Sequence, residues 1–186
     1  FTKYYHKVYN NFENTKILHT SELDENRYKT TWNKNPVVLG NWTDVNKGNK
    51  IVDILKNKLS NYEFKKLTVN MDENEYDNFN RRKQDIYLQS DIFLQISLCE
   101  GNSFATLDAL ICGVPIVASN VGLFYKDVPE DCFVKLEWER NGDPQYVQEK
   151  LEYAWKHREE LSKKSRQWYL ENCRFNDWIN KIKKIV

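Results

Sequence analysis

The chain has 186 residues, of which 40% are hydrophobic and 14% aromatic, so it carries enough apolar bulk for a core and is not intrinsically disordered. Its 28 basic and 27 acidic residues leave a net charge of +1, which gives no global field that would attract nucleic acid or an anionic membrane. The mean hydropathy of −0.77, without an apolar run near ~20 residues, predicts no transmembrane helix.

The length suits a single domain, which we divide into a lead-in over 1–34, a core over 35–140 and C-terminal helices over 144–186. The lead-in is expected to hold a helix and a short strand at 17–19. Because the sequence opens with Phe1 rather than methionine, we expect an excerpt of a longer protein. Four cysteines without a C-x-x-C pair indicate a reducing compartment, and therefore a cytoplasmic location.

Strands and helices are predicted to alternate from Pro36 to about Leu136. In chain order these are a strand at 36–40, a helix over 49–59, a strand near 64–69, a short helix over 84–89, a strand over 91–97, a helix over 103–112, and strands over 114–119 and 132–136. The acidic, Asn-rich stretch 71–80 predicts a loop, and further helices are expected over 144–172 and 175–186. This alternation indicates an α/β fold, a Rossmann-like doubly wound parallel sheet with helices on both faces.

Ligands of doubly wound sheets bind outside the carboxyl ends of the strands. Three polar segments follow predicted strands, namely 41–48, 99–103 and 120–124. In the second segment, Asn102 or Ser103 is placed to cap the following helix, whose free N–H groups and partial positive charge favour phosphate. Gly101 would let a ligand approach the backbone closely.

Two carboxylates, Glu100 and Asp108, lie eight residues apart on this strand-to-helix segment. The spacing is slightly over two helical turns, about 12 Å, which matches the distance from hexose to ribose in a nucleotide sugar. Carboxylates at these positions could accept hydrogen bonds from sugar hydroxyls. The spacing alone favours a simpler interpretation, in which Glu100 is an exposed turn residue and Asp108 a solvated helix residue.

The stretch EGNSFATLDALICGVPIVASNVG resembles the donor-binding region of GT-B glycosyltransferases, especially the retaining family 4 type. That family has Glu-Gly-Phe-Gly, a second acid eight residues after the first, and an Ala-x-x-Cys-Gly-x-Pro-Val run. The residues in register here are Glu100, Gly101, Asp108, Ala109, Cys112, Gly113, Pro115, Val117 and Gly122. Upstream, PVVLGNWTDVNKG resembles the family's first strand and phosphate loop, with Lys47 and Gly48 in the Lys-Gly positions. The resemblance covers about 35–125.

The resemblance implies the C-terminal, donor-binding half of a retaining, metal-independent glycosyltransferase. Such an enzyme moves a hexose from a UDP- or GDP-sugar, without other cofactor, to a carbohydrate, lipid-linked or protein acceptor, as in polysaccharide biosynthesis. The acceptor-binding domain would precede Phe1, and any peripheral membrane association would belong to that part. The fragment alone is expected to be inactive, and no nucleic acid partner is expected.

Residue roles follow from the same resemblance. Lys47 would neutralise charge on the leaving diphosphate and Glu100 would contact the donor hexose; these are the implied catalytic residues. Asp108 would bind the ribose hydroxyls. The implied donor-binding set is completed by Gly40, Asn41, Trp42, Gly101, Asn102 and Ser103, the last three through backbone N–H groups.

The sequence departs from the family at three places. The family usually carries Arg just after the first strand, where this chain has Asn41-Trp42 and a loop about one residue longer; the charge is either lost or supplied elsewhere, for example by Arg81 or Arg82. The second acid is Asp108 rather than Glu, which shortens its reach by about one methylene. The stretch 69–87 is short, so the contacts to the base are not defined by the resemblance.

The departure at Asn41 favours one alternative, a non-catalytic module that binds nucleotide or glycan without turnover. Another GT-B-like enzyme, such as a nucleotide-sugar epimerase, lacks support because the central motif is closer to the retaining transferases. A dinucleotide-dependent oxidoreductase is disfavoured since 36–48 contains no G-x-G-x-x-G.

Overall fold

A computed structural model describes residues 20–68, 76–100 and 103–183. Its five parallel strands form one sheet in the order β2-β1-β3-β4-β5. The strands are β1 (Val37–Gly40), β2 (Glu63–Lys66), β3 (Ile92–Gln95), β4 (Ile116–Ser119) and β5 (Val134–Leu136). The predicted doubly wound parallel sheet is confirmed. The lead-in helix and the strand at 17–19 lie outside the described residues.

Seven α-helices are described. They are α1 (Asn49–Lys58), α2 (Tyr76–Leu88), α3 (Phe104–Cys112), α4 (Leu123–Lys126), α5 (Pro144–Lys156), α6 (Arg158–Asn172) and α7 (Phe175–Ile182). As predicted, α3 ends at Gly113, which adopts φ +66° and donates to the carbonyls of Ala109 and Leu110. None of the helices described is both long and apolar enough to span a bilayer.

The sheet buries both faces, because side chains alternate along each strand. On one face Leu39 and Phe93 join a core with α2, α3 and α6. On the other face Val38 and Leu94 join a second core with α1 and α5. The central strands β1, β3 and β4 are buried along their whole length, which explains their continuous apolar sequences.

The strand order reverses between β1 and β3. The chain leaves β1 for β2 on one side and then crosses to β3 on the other side of β1. Loops that follow β1 and β3 therefore diverge, and a crevice opens at their carboxyl ends. This switch point is where doubly wound folds bind ligands.

The predicted loop over 71–80 is wrong for its second half, because α2 begins at Tyr76 and continues to Leu88. The helix is also longer than the predicted 84–89. Asparagines lower the local helix propensity, but packing outweighs it: Tyr87 is fully buried and Gln84 is 1% exposed.

The predicted continuous helix over 144–172 is wrong at His157, where α5 ends and α6 begins. His157 has φ −106° and ψ +18°, outside the helical range, and its ring stacks on Tyr153 with centroids 4.1 Å apart. The break is needed because α5 packs on one face of the sheet, whereas α6 packs against α3 on the other. The final helix reaches Ile182, and 184–186 lie outside the described residues.

Residues 20–35, here called the N-terminal strap, make contacts with α2 and α3. Leu23 enters the core, and Lys29 donates its backbone N–H to the carbonyl of Cys112 at the end of α3. The ammonium of Lys29 lies 2.9 Å from a carboxylate oxygen of Asp91, with both side chains nearly inaccessible at 2% and 0% exposure. Burial lowers the pKa of Lys29, and the Asp91 carboxylate opposes that shift.

Candidate donor site at the sheet switch point

A cavity of about 260 Å³ lies at the carboxyl ends of β1 and β3 and reaches the start of α3. Six of the polar or aromatic residues that line it are Asn41, Trp42, Lys47, Gln95, Glu100 and Ser103. Five of these six were predicted from sequence as site residues. The cavity therefore lies at the position expected for a ligand in this fold class.

The loop after β1 brings Lys47 to the cavity through a tight local structure. Asp44 caps a 3₁₀ turn over Val45–Lys47, and its carboxylate accepts from the Asn46 N–H at 2.8 Å. Gly48 then adopts φ +76°, and a Cβ at this position would lie 2.6 Å from Cβ of Ile96. Only glycine fits both the backbone conformation and the space, which explains the Lys-Gly order.

Lys47 and Glu100 form an ion pair across the cavity, although 53 residues separate them. Their side chains are 28% and 14% exposed. Ser97 donates its hydroxyl to the same Glu100 oxygen at 2.8 Å, which fixes the carboxylate. The backbone N–H of Leu98 donates to the carbonyl of Asn46 at 2.9 Å and joins the two loops. The pair puts a cation and an anion at the mouth of the crevice.

The predicted residues Asn41 and Trp42 line the cavity, whereas the predicted Gly40 does not line it and lies against the Trp42 ring. Trp42 is 6% exposed, donates Nε1–H to the carbonyl of Leu94 at 3.0 Å and packs against Phe64. A Cβ on Gly40 would lie 2.4 Å from the Trp42 ring, so glycine makes room for the indole. The Asn41 side chain is exposed and lines the cavity.

Ser103 is the N-cap of α3, as predicted, but its hydroxyl makes no capping bond to the backbone. Instead it lies 2.8 Å from the Thr106 hydroxyl, which in turn hydrogen-bonds the side-chain carbonyl of Gln95. The first turn of α3 keeps the free N–H groups that an anion could use. Gly101 and Asn102 lie outside the described residues.

Asp108 is buried at 4% exposure, so it is not a solvated helix residue. Its carboxylate accepts from the Ser21 hydroxyl at 2.6 Å and lies 3.0 Å from the ammonium of Lys83 on α2. Burial raises the pKa of the Asp108 carboxyl, while Lys83 and Ser21 act in the opposite direction. Asp108 does not line the cavity and joins α3, α2 and the N-terminal strap.

The ribose role that the resemblance implies for Asp108 stays a prediction. Each carboxylate oxygen has a second lone pair beyond those taken by Ser21 and Lys83. We expect Asp108→Asn to weaken nucleoside diphosphate affinity by about 1–2 kcal/mol, the loss of a charged hydrogen bond. Deoxy analogues lacking the 2′- or 3′-hydroxyl should reproduce much of that loss on the wild-type chain in calorimetric titrations. If the variant binds ribo and deoxy ligands as the wild type does, Asp108 has only the joining role.

Sequence reasoning missed several residues of the site region. Ser97 and Gln95 are polar residues at the end of an otherwise apolar strand, which is the signal that could have revealed them. Lys83 and Ser21 gave no such signal. Arg81 and Arg82, named as possible sources of a second cation, are exposed on α2 and do not line the cavity. Within 20–68, 76–100 and 103–183, no three His, Cys, Asp or Glu side chains are grouped as metal ligands.

No protein-family model and no curated protein sequence matches the chain. Solved structures do match. Sucrose-phosphate synthase from Thermosynechococcus elongatus superposes with a TM-score of 0.70 at 14% identity, over 92% of this chain and 51% of that one. Anabaena Alr3699/HepE, solved with UDP and glucose, gives 0.67 at 15% identity, over 92% of this chain and 56% of that one.

The chain thus spans about half the length of these two proteins. It spans 97% of a third structure, the C-terminal domain of a glycosyl transferase group 1 family protein (LpcC) from Francisella tularensis, with 86% of this chain covered, a TM-score of 0.52 and 13% identity. At such identities the likeness establishes the fold. The chain has the fold of the C-terminal domain of a GT-B glycosyltransferase.

Proposed function

We propose that this chain is the donor-binding domain of a glycosyltransferase and that it binds a nucleoside diphosphate sugar in the cavity between β1 and β3. The observation that carries the proposal is the Lys47–Glu100 pair beside the N-terminus of α3, at the switch point of the sheet. A cation and a helix N-terminus suit a diphosphate, and a carboxylate suits sugar hydroxyls.

The chemistry of transfer explains why both charges belong there. In glycosyl transfer, positive charge grows on the sugar while negative charge grows on the leaving diphosphate. Lys47 and the first turn of α3 are placed to stabilise the leaving group more strongly in the transition state than in the ground state. Glu100, held by Ser97, is placed to orient the hexose. The proposed enzyme is a metal-independent, retaining transferase, as the sequence resemblance implies.

The structural neighbours support the choice of ligand. HepE was solved with UDP and glucose, and S. aureus TarM with UDP and a GlcNAc-glycerol. By analogy we propose a UDP-sugar, with GDP as the other candidate, and transfer of a hexose to a carbohydrate, lipid-linked or protein acceptor. In this proposal the acceptor site lies on a further domain. We also propose that the enzyme acts in the cytoplasm, in polysaccharide biosynthesis.

Calorimetric titration of the 186-residue chain with UDP, GDP, UDP-glucose and UDP-GlcNAc tests the donor site. We expect weak binding of at least one nucleoside diphosphate and weaker binding of the matching nucleoside. Incubation with a donor and a purified acceptor should give no transferred sugar. Absence of nucleotide binding would contradict the proposed donor site. Sugar transfer by this chain alone would contradict the proposal that the acceptor site lies on a further domain.

A non-catalytic module is the second candidate, because Asn41 stands where the family carries Arg. The two candidates agree on nucleotide binding and differ in turnover. Donor hydrolysis or transfer by the longer protein, lost in Glu100→Gln but not in Lys50→Gln, would support the enzyme. Nucleotide binding without any turnover would support the module.

A further inference from the structure

Gln95 is a polar side chain buried within β3. It follows Ile92, Phe93 and Leu94, is only 6% exposed and lines the cavity. A buried primary amide needs hydrogen bonds on both its oxygen and its nitrogen. Its partners therefore show what the side chain does.

The carbonyl oxygen of Gln95 is fixed by the first turn of α3. It accepts from the Thr106 hydroxyl, which also lies 2.8 Å from the Ser103 hydroxyl. A hydroxyl has one hydrogen, so Thr106 donates to Gln95 and accepts from Ser103. This chain of bonds orients the Gln95 amide relative to the N-terminus of α3.

The amide nitrogen of Gln95 reaches open space. Among the described residues, the fully buried side-chain polar atoms without a partner belong to Asn49, Arg158 and Arg166. Gln95 Nε2 donates to no described residue, so it would belong to this group if it were fully buried. It does not belong to the group, and the nitrogen is therefore accessible. The open space that Gln95 lines is the cavity.

Asn41 lies beside Gln95 at the same edge of the sheet. Leu39 and Phe93 are paired across β1 and β3, and each of the two amide residues lies two positions beyond that pair. Both line the cavity, and among the described residues that line it Lys47 is the only cation. Asn41 is also a primary amide, so two neutral hydrogen-bond donors line this part of the cavity.

We infer that Gln95, held by Thr106, donates from Nε2 to a phosphate oxygen of the nucleoside diphosphate. It acts with Asn41 as a pair of neutral donors beside Lys47. The inference rests on the proposed function and adds to it a binding residue and a mode of phosphate recognition. A phosphate oxygen is the fitting acceptor because Gln95 is joined to the first turn of α3, where anions bind.

The test is calorimetric titration of the wild-type chain, Gln95→Leu and Gln95→Glu with UDP and GDP, and with uridine and guanosine. Gln95→Leu should weaken diphosphate binding about three- to tenfold, the effect of one hydrogen bond. Gln95→Glu should weaken it more, because it adds a negative charge, and this additional loss should shrink as salt is raised. The nucleosides should bind equally to all three. Gln167→Leu, on the exposed side of α6, is the matched control and should change nothing.

Thr106 provides the test of positioning. Thr106→Val removes the hydroxyl that holds the amide and should cause part of the Gln95→Leu loss, whereas Thr106→Ser keeps the hydroxyl and should restore affinity. A thermal melt of each variant verifies folding.

If Gln95→Leu binds diphosphate as the wild type does while Lys47→Ala does not, the inference is wrong and the proposed function stands. Equal losses for diphosphate and nucleoside would also overturn it. If the wild type binds neither UDP nor GDP, the proposed function fails first.

Discussion

Replacing Lys47 with alanine should weaken nucleoside diphosphate binding by about 1.5–3 kcal/mol, or roughly 10- to 150-fold, the range for a hydrogen bond to a charged group. The structure gives a second reason why nucleoside diphosphate should bind more weakly. Lys47 neutralises Glu100 in the cavity, so its removal leaves a carboxylate, 14% exposed, facing an anionic ligand. The free nucleoside should be almost unaffected because it carries no phosphate. Calorimetric titration with both ligands measures the difference.

Lys50→Ala is the matched control for this experiment. Lys50 carries the same charge on α1, three residues from Lys47, but is exposed and does not line the cavity. Its removal should leave the affinity unchanged, which separates a local contact from a change in net charge. If Lys47→Ala loses the same affinity for the diphosphate and for the nucleoside, Lys47 acts on folding and not on the phosphates.

Replacing Asp91 with alanine should lower the free energy of unfolding by about 3–5 kcal/mol, the effect of removing one partner of a buried ion pair. Asp91 is fully buried and lies 2.9 Å from the ammonium of Lys29. It also accepts from the backbone N–H of Val37 at 2.9 Å and from the N–H of Asn33 at 3.2 Å. The side-chain amide of Asn33 donates to it as well, at 2.8 Å, so the substitution leaves four donors without this acceptor. Urea unfolding followed by tryptophan fluorescence measures the loss.

Lys29→Met is the companion variant and should cost clearly less. It leaves the buried Asp91 carboxylate without its counter-ion, but the carboxylate keeps its bonds from Val37 and Asn33, which offset part of that cost. The side chain of Met has a similar length and suits an apolar site. Comparable losses in the two variants would contradict this asymmetry and would show that the ion pair itself, rather than the carboxylate network, holds the strap to β3.

The sequence predicted Lys47 and Glu100 as site residues, but not that they pair with each other. Each is fixed by local chemistry: Gly48 at φ +76° ends the loop of Lys47, and Glu100 follows a buried strand. Their meeting depends on β1 and β3 being neighbours in the sheet. A local pattern cannot reveal the partner of a side chain 53 residues away.

Asp108 and Gln95 illustrate the same limit. The helical spacing placed Asp108 on α3 but gave no sign of Ser21, 87 residues earlier, or of Lys83 on α2. Gln95 lies in a strand that was correctly predicted, yet its role depends on Thr106, eleven residues later on a different element. Burial of a polar group and the identity of its partner are properties of packing.

By itself, the sequence determined the central strands, the end of α3 at Gly113 and the doubly wound class, because these depend on apolar runs and on glycine and proline chemistry within a few residues. Only the tertiary structure decided that 76–88 is helical, that the chain breaks at His157 and which polar groups meet at the crevice. Those features arise where packing against distant residues outweighs local preference, and the free energy of such packing is not present in any short stretch of sequence.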